Sequence, residues 1–382
     1  MNQLSIGVLA STHKKHEKRA PLHPAHLPLI DASIRSRMFL ESGYGSRFGF
    51  SDEQLAPQVA GLLPRDELIR RSDLVMMFKA TPRDMAELRD GQILWGAPHF
   101  AQNMETTQLA IDRKLTVISK EAMRDRPEGS DTDRFVFHRV SEIAGYCSVQ
   151  HALQCLGRTG AWGRPLEKAV VLGFGSTGQG AARALQAHGV RELSVVTQRP
   201  SSAVTPPDDS ARMAQLHYDQ ADPAASTVTV QGGGTAKLAE FLAEHDIVVN
   251  CVMQDIDAPQ VYLTEDDLPR FPSGALVVDV SCDVAMGFGW ARPTSFDEPL
   301  VTVGDHVRYY AVDHSPSLLW DSATWELSSA ALRYLPIVAD PQAWDADETV
   351  RRALEVRDGV VQNPSILAYQ GRSPQYPHAT VE

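Results

Sequence analysis

Short apolar runs alternate with segments of helical periodicity through the N-terminal part of the chain. The apolar runs predict five strands, at 4–9, 38–41, 74–78, 92–95 and 115–118. Helical segments are predicted between them, at 26–30, 53–60, 64–71 and 85–88. Short, wholly apolar strands separated by helices are typical of a parallel sheet that is covered on both faces. We therefore predict an α/β domain over residues 1–145.

The same alternation returns after residue 146. Strands are predicted at 169–172, 193–197, 247–252 and 275–281, and helices at 141–156, 177–188 and 237–244. Residues 201–234 are rich in Pro, Asp, Ser and Gly, so we expect a loop-rich insertion there. A helix at 322–334 leads back to the first domain, and a turn and strand follow at 358–361. The fold class is thus α/β: two Rossmann-like domains with parallel sheets. The nucleotide-binding domain, 146–317, is inserted into a discontinuous substrate domain, 1–145 and 318–382.

A glycine triplet directly follows the predicted strand 169–172 and opens a helix that ends at Gly189. Gly173 permits a tight turn, Gly175 lets the backbone approach a pyrophosphate, and Gly178 lets the helix pack close to the strand. The helix N-terminus supplies free N–H donors and a positive dipole end. We predict a dinucleotide site, whose contacts include Gly173, Gly175, Ser176, Thr177, Gly178, Cys251, Val252 and Asp283.

The end of the next strand predicts which dinucleotide binds. An NAD site usually carries a carboxylate there for the ribose hydroxyls, but this chain reads Thr-Gln-Arg-Pro-Ser-Ser over 197–202. No carboxylate would repel a 2′-phosphate, while Gln198, Arg199 and Ser201 could hold one. We predict NADP(H) as the preferred cofactor, with NAD(H) as the alternative. The alternative interpretation is that Arg199 is an ordinary solvated loop residue without a role in cofactor binding.

Composition narrows the class of partner. The 382 residues are 43% hydrophobic and 22% charged, with a net charge of −12, which disfavours nucleic acid and anionic membranes. The N-terminus reads as a strand rather than a signal peptide, and the four cysteines form no CxxC, so we expect a cytoplasmic enzyme with reduced thiols. The histidine pairs 13/16 and 23/26 could suggest a metal site, but prolines 21 and 24 break any helix that might align them and no Cys supplements them, so no metal site is predicted. Small-molecule substrates are the expected partners, and a homo-oligomer stays open.

Two groups that can carry protons follow successive predicted strands of the first domain. Lys79 follows an apolar strand, and His99 follows the next one, so both should lie at the carboxyl edge of the sheet. A partly desolvated lysine and a histidine can both exchange protons near neutral pH. Arg19 and Arg139 offer guanidinium forks for carboxylates. We expect ligands in the crevice between the domains, near these residues, Asp283 and Asp313.

With these residues in view, the chain resembles the superfamily of alanine dehydrogenase and lysine-forming saccharopine dehydrogenase, most closely the carboxyethylornithine synthases. The resemblance runs almost from end to end, through the segments 16–19, 41–45, 78–79, 95–99, 141–145, 172–175, 278–283 and 310–318. It implies catalytic roles for Lys79 and His99, with Arg19 holding an oxo acid. It places Asp283 beside the nicotinamide, and it makes the Asp313-His314 loop a border of the substrate site.

Two segments favour the condensing branch of this superfamily over alanine dehydrogenase. Ser281-Cys282-Asp283 and Val312-Asp313-His314 resemble the saccharopine and carboxyethylornithine enzymes. The implied reaction condenses pyruvate or 2-oxoglutarate with the side-chain amine of ornithine or lysine and reduces the imine with NADPH. The alternatives are reductive amination with ammonia, reduction of a cyclic imine, and a non-catalytic NADP-binding regulator. Relatives place an arginine where this chain has Trp320-Asp321, and an acidic residue there suits an amine.

Overall fold

The computed structural model describes residues 3–129, 131–200, 203–255 and 258–381. The chain divides into two compact units. Unit 1 comprises Met1–His138 together with Leu319–Glu382, and unit 2 comprises Arg139–Leu318. Unit 2 is thus an insertion within the sequence of unit 1.

Twenty-one strands and eleven α-helices are found in the described residues. The strands are β1 (Ile6–Val8), β2 (Met38–Glu41), β3 (Gly61–Leu63), β4 (Leu74–Met76), β5 (Ile93–Gly96), β6 (Thr116–Ser119), β7 (Arg124–Asp125), β8 (Arg134–Phe135), β9 (Lys168–Leu172), β10 (Glu192–Thr197), β11 (Arg212–His217), β12 (Thr227–Val230), β13 (Thr235–Lys237), β14 (Ile247–Asn250), β15 (Val261–Leu263), β16 (Leu276–Asp279), β17 (Gly287–Phe288), β18 (Leu300–Val303), β19 (Val307–Tyr310), β20 (Leu354–Arg357) and β21 (Val360–Val361). The helices are α1 (Ala32–Arg35), α2 (Asp52–Leu55), α3 (Arg65–Arg71), α4 (Pro82–Glu87), α5 (Met104–Asp112), α6 (His138–Cys155), α7 (Ser176–Ala187), α8 (Leu238–Ala243), α9 (Trp320–Val338), α10 (Glu348–Ala353) and α11 (Pro364–Tyr369).

Unit 1 is built on an eight-stranded sheet in the order β21-β20-β6-β5-β4-β1-β2-β3. The strands from β6 to β3 are parallel, while β20 and β21 run antiparallel at one edge. Strands β4, β5 and β6 lie side by side, with Met76 opposite Trp95 and Gly96 opposite Ser119. Their carboxyl ends, and the loops that follow, therefore meet at one edge of the sheet.

Unit 2 is built on a nine-stranded sheet in the order β13-β12-β11-β10-β9-β14-β16-β19-β18. Its six central strands, β11 to β19 in that order, are parallel, and both edges finish in antiparallel strands. Apolar residues of β9, β14 and β16 are buried on both faces of the sheet, where they form two hydrophobic cores. The predicted α/β fold with two mostly parallel sheets is confirmed.

The prediction of a loop-rich insertion over 201–234 is wrong. This segment contains β11 and β12, which extend the sheet of unit 2. Residues 227–230 read Thr-Val-Thr-Val, and Val228 is fully buried while Thr229 is exposed. Such alternation is the signature of a strand with one covered face, and here it outweighs the surrounding Pro, Asp and Gly.

Two helical predictions in unit 1 also differ from the structure. The helix expected at 26–30 is a 3₁₀-helix over Pro24–Leu29. The helix expected at 53–60 ends at Leu55, and a 3₁₀ turn over Ala56–Gln58 leads into β3, which the sequence did not predict. Pro57 accounts for the second difference, because its ring cannot continue an α-helix. Among the described helices, none combines the length and apolar character that crossing a bilayer demands.

Candidate functional site

The glycine turn of unit 2 has the shape that a bound dinucleotide needs. Gly173 has a φ of 80°, and a Cβ on Gly178 would lie 2.1 Å from the Gly173 carbonyl oxygen, so neither position accepts a side chain. A Cβ on Gly175 would meet no atom within 4 Å. Gly175 is also the N-cap of α7, and it caps that helix with no side chain. The glycine turn is therefore open at the place where phosphate oxygens would accept hydrogen bonds from the first N–H groups of α7. Ser176 and Thr177 belong to the first turn of that helix.

The residues predicted to hold a 2′-phosphate lie at the end of β10. Arg199 is exposed, and its Nη2 donates to the Phe174 carbonyl oxygen at 2.6 Å, which holds the guanidinium against the glycine turn. Gln198 donates through Nε2 to Oε1 of Gln260 at 2.8 Å. Ser201 lies outside the described residues. A guanidinium beside the turn fits a phosphorylated ribose.

Cys251 and Val252 follow β14, and Asp283 follows β16, the neighbouring parallel strand. Ser281 donates to the Val252 carbonyl oxygen at 2.5 Å, which joins the two loops. Burial raises the pKa of the Cys251 thiol, so this cysteine is neutral at physiological pH. Cys251 therefore contributes shape rather than reactivity.

The sequence reasoning missed a buried carboxyl group beneath these loops. Asp279, the last residue of β16, accepts from Tyr309 at 2.9 Å, from Asn250 at 3.0 Å and from the Cys282 amide at 3.3 Å. Burial raises the pKa of Asp279 to about 6 despite these hydrogen bonds. Asp279 thus fixes the loops that carry Val252 and Asp283. The signal in the sequence was an acidic residue at the end of an apolar strand.

The Asp313-His314 loop follows β19 in unit 2. His314 is buried, and its Nδ1 lies 2.5 Å from Oδ1 of Asp313. The rings of His314 and Phe296 form a T-shaped pair, with 4.7 Å between the centroids. The neighbouring carboxylate fixes the orientation of the imidazole.

In unit 1, the structure brings Lys79 and His99 together. Lys79 Nζ lies 2.5 Å from His99 Nε2 at the edge formed by β4 and β5. Both residues have a left-handed backbone, with φ of 54° for Lys79 and 52° for His99. The His99 side chain is 44% exposed, so a small substrate can reach it.

A third group of this cluster was not predicted. Glu121 follows β6, the next strand of the same sheet, and its Oε1 lies 2.7 Å from His99 Nε2 while its Oε2 accepts from the His99 amide at 3.0 Å. Burial alone would raise the pKa of the Glu121 carboxyl, but the positive charges of His99 and Lys79 hold it below its ordinary value. Lys79, His99 and Glu121 form a lysine–histidine–carboxylate cluster, which can pass a proton along its length.

Arg19 lies in the same unit but already has a partner. Its Nε donates to Oε1 of Glu17 at 2.8 Å, and its Nη2 to Oε2 at 2.5 Å, in a bidentate pair buried from solvent. The guanidinium also stands 4.5 Å above the ring of Phe78, the residue before Lys79. Arg19 is therefore near the cluster, but a carboxylate ligand would have to share it with Glu17.

Arg139 belongs to unit 2, where it pairs with Glu142 at 3.1 Å. Asp321 lies in unit 1 at the start of α9. Its Oδ1 is 3.0 Å from Nε2 of His23, and its side chain is mostly exposed. The carboxylate is thus held in place and open to solvent.

One group of residues has the spacing of a metal site. His13, Asp84 and Glu87 offer ligand atoms within 4.8 Å of one another. Arg65 already supplies positive charge there, at 2.7 Å from Asp84 and 2.6 Å from Glu87. Since the guanidinium occupies the carboxylates, the arrangement is that of an ion-pair network.

Two family models match the chain. The profile of the alanine dehydrogenase/PNT N-terminal domain matches residues 7–144, and that of the C-terminal domain matches residues 157–364. The chain belongs to the alanine dehydrogenase/PNT family. The resemblance inferred from the sequence is therefore confirmed, and with it the expectation of an oxidoreductase that acts on CH–NH groups and uses a nicotinamide cofactor.

Individual relatives match over nearly the whole chain. The N(5)-(carboxyethyl)ornithine synthase of Clostridium botulinum is 23% identical over 344 residues, which cover 87% of this chain and 94% of the relative. The alanine dehydrogenase of Halomonas elongata is 25% identical over 366 residues, 91% of each chain. A solved L-alanine dehydrogenase aligns with a TM-score of 0.74 at 22% identity, covering 95% of this chain and 98% of that one. A transhydrogenase from Sinorhizobium meliloti aligns with a TM-score of 0.70 at 18% identity, covering 94% and 99%. The structural matches establish the fold.

Proposed function

We propose that this protein catalyses an NADPH-dependent reductive condensation. A 2-oxo acid, pyruvate or 2-oxoglutarate, joins the side-chain amine of ornithine or lysine and gives an N-(carboxyalkyl)amino acid. The observation that carries the proposal is the 2.5 Å approach of Lys79 Nζ to His99 Nε2, with Glu121 against the same imidazole nitrogen. Condensation needs a group that gives and takes protons repeatedly, and this cluster supplies one.

The proton steps follow from the three side chains. The uncharged amine of the substrate attacks the carbonyl carbon of the oxo acid, the cluster takes a proton from the new ammonium nitrogen, and it gives a proton to the oxygen, which yields a carbinolamine. A further proton on that oxygen lets it leave as water and leaves the protonated imine. Lys79 and His99 carry these protons, and Glu121 stabilises the protonated imidazole at 2.7 Å. When bound, the nicotinamide cofactor supplies the hydride that reduces the imine carbon.

Two further charges suit the proposed substrates. Arg19 stands over Phe78 beside Lys79 and can share its guanidinium between Glu17 and the oxo acid. Asp321, held by His23, offers a carboxylate where a basic amino acid brings a positive charge. The relative named N(5)-(carboxyethyl)ornithine synthase supports the condensing reaction. Arg199 beside the glycine turn supports the preference for NADP(H).

A matrix of oxo acids against amines tests this function. Pyruvate and 2-oxoglutarate are each combined with ornithine, lysine and ammonia, and NADPH absorbance is followed while mass spectrometry identifies the product. We expect oxidation of NADPH with ornithine or lysine, together with a product whose mass is that of the reduced imine. Consumption of NADPH with ammonia alone would overturn the condensation and favour alanine dehydrogenase-like amination.

The ammonia reaction is the second candidate because several relatives are named alanine dehydrogenase, including that of Halomonas elongata. It would use Lys79 and His99 in the same way, since ammonia and a side-chain amine form the same kind of imine. The two functions differ in the group that recognises the amine. Asp321 has a role only where the amine belongs to a larger cationic substrate, so Asp321→Ala should raise KM for ornithine or lysine and leave KM for ammonia unchanged.

A further inference from the structure

Lys120 is an anomaly within unit 1. Its side chain is 1% exposed, and its Nζ has no hydrogen-bond partner among the described residues. Its surroundings are aromatic, with Nζ 4.8 Å from the ring centroid of Trp95, 5.9 Å from that of Phe137 and 6.0 Å from that of Phe78. Aromatic faces attract a cation, but they do not replace the hydrogen bonds that water would give an ammonium.

The position of Lys120 ties it to the proposed catalytic cluster on two sides. Lys120 directly precedes Glu121, whose carboxylate contacts His99. Phe78 directly precedes Lys79 in the sequence, and both the Lys120 ammonium and the Arg19 guanidinium lie over its ring. Lys120 thus stands at the same sheet edge as the proton-carrying groups.

The charges at this edge are unevenly matched. Arg19, which the resemblance assigns to the oxo acid, is already held by both oxygens of Glu17. Glu121 is held by His99. For Lys120, by contrast, the buried Nζ has neither a hydrogen-bond partner nor an ion-pair partner in the described structure. A buried ammonium in this condition destabilises the fold, and an anionic ligand would supply the missing counter-charge.

We propose that Lys120 binds the carboxylate of the 2-oxo acid, as a specificity-determining residue that recognises the anionic substrate. This inference rests on the proposed function, because it takes the substrate to be a 2-oxo acid. The lysine stem has four rotatable bonds, which let the ammonium turn from the rings towards a ligand. The rings of Phe78 and Trp95 exclude water from the resulting ion pair, which strengthens it.

The electrostatics agree with this role. Burial lowers the pKa of Lys120 to about 7, so the ligand-free protein carries a readily neutralised amine. A bound carboxylate favours the protonated form of Lys120, so binding of the ligand restores the positive charge that burial disfavours. The ligand-free protein would thus lose some stability to the buried charge, and in return the site would be preorganised for an anion.

Direct binding measurements test the assignment. Pyruvate and 2-oxoglutarate are titrated calorimetrically into NADPH-saturated protein without any amine, so that no turnover occurs. Lys120→Met keeps the length and apolar volume of the stem, Lys120→Arg keeps the charge, and Lys237→Met removes an exposed lysine of unit 2 as the control. We expect Lys120→Met to weaken oxo-acid binding about tenfold or more, with NADPH binding within about twofold of the parent. Lys120→Arg should retain more of the affinity, and the control should retain all of it.

Thermal unfolding separates binding from a structural role. Removing an uncompensated buried charge should raise the Tm of ligand-free Lys120→Met, whereas loss of a structural cation–π contact would lower it. A lower Tm with unchanged oxo-acid affinity would overturn the assignment and make Lys120 structural, while the proposed function would stand if the parent protein turned over. If the parent protein neither bound nor reduced any oxo acid, the proposed function and this inference would both be wrong.

Discussion

Lys79 and His99 share an unusual backbone conformation as well as a contact. Lys79 follows β4 and His99 follows β5, and these two strands are parallel neighbours in the sheet. Each residue has a left-handed φ near 50°, and their side-chain nitrogens lie 2.5 Å apart. A left-handed conformation costs a non-glycine residue about 1–2 kcal/mol, so the surrounding fold must enforce it at both positions. The turn at the end of each strand aims the side chain across the sheet edge, and the two turns together produce the contact.

The first prediction concerns this pair. Replacing Lys79 with Met or His99 with Gln should lower kcat by about 10²–10⁴-fold, because each removes a proton carrier from the condensation steps. The double variant should lose little more than the worse single one, since the two groups act as a unit. Steady-state kinetics with the best oxo acid and amine would measure this, with Lys237→Met as a control expected to match the parent. Near-normal kcat in both single variants would show that the cluster is not catalytic.

The second prediction concerns Glu121 as a positioning residue. Glu121→Gln keeps the shape but removes the negative charge that faces His99 Nε2 at 2.7 Å. We expect kcat to fall about tenfold while KM for the oxo acid changes little, because the lost interaction stabilises a protonated imidazole rather than the bound substrate. The pH profile of kcat should also change, whereas a purely structural role would lower Tm and leave the profile in place.

The sequence predicted the positions of Lys79 and His99 because each follows an apolar strand, and parallel strands end at one edge. By the same reasoning Glu121, which follows the predicted strand 115–118, lies at this edge, but a carboxylate after a strand is common and does not by itself indicate a proton-carrying group. The sequence did not indicate the burial of Lys120, because a lysine beside an apolar run ordinarily extends into solvent. Its burial depends on aromatic residues from three distant parts of unit 1.

The pairing of Arg19 was also beyond the sequence reasoning. Glu17 lies only two residues away, yet a bidentate pair between such near neighbours depends on the irregular backbone of this loop. The strands over 212–230 were missed for a different reason. Turn residues on either side hid this alternation, and β12, which pairs antiparallel with β11, carries a weaker apolar signal than the central parallel strands.

The third prediction distinguishes the roles of Gly175 and Gly178 in the glycine turn. A Cβ on Gly175 meets no atom within 4 Å, so Gly175→Ala should fold with an unchanged Tm but bind NADPH more weakly, because the methyl group takes the space of the pyrophosphate. A Cβ on Gly178 would lie 2.1 Å from the Gly173 carbonyl oxygen, so Gly178→Ala should lower Tm as well. Fluorescence titration and thermal unfolding give both quantities. Tight NADPH binding by Gly175→Ala would mean that the cofactor lies elsewhere.

The fourth prediction concerns cofactor choice. Arg199→Ala should lower the ratio of kcat/KM for NADPH to that for NADH by about 10–100-fold, because a guanidinium that pairs with the 2′-phosphate is lost. The loss should fall on NADPH alone, since NADH has no phosphate at that position. Arg212→Ala, a variant of an exposed arginine in β11, is the matched control. A preference for NADH in the parent protein would overturn the assignment of Arg199.

The fifth prediction concerns the pH dependence of stability. Burial, with the negative charge of Glu121 added, raises the pKa of Glu355 to about 7 from an ordinary value of 4.5. Between these two values the folded protein holds a proton that the unfolded chain has lost, so this group makes stability fall as pH rises from about 4.5 to about 7. Above pH 7 both states are ionised and the destabilisation is complete.

Glu355→Gln removes that titration and keeps an amide of the same shape beside Asn363, which donates to Glu355 at 3.3 Å in the parent protein. The variant should match the parent near pH 4.5 and exceed its Tm by a growing margin up to about pH 7, where the margin levels off. Thermal unfolding of both proteins across this range measures it. A constant difference at every pH would indicate that Glu355 contributes through packing alone, and a margin that grew towards low pH would reverse the sign of the argument.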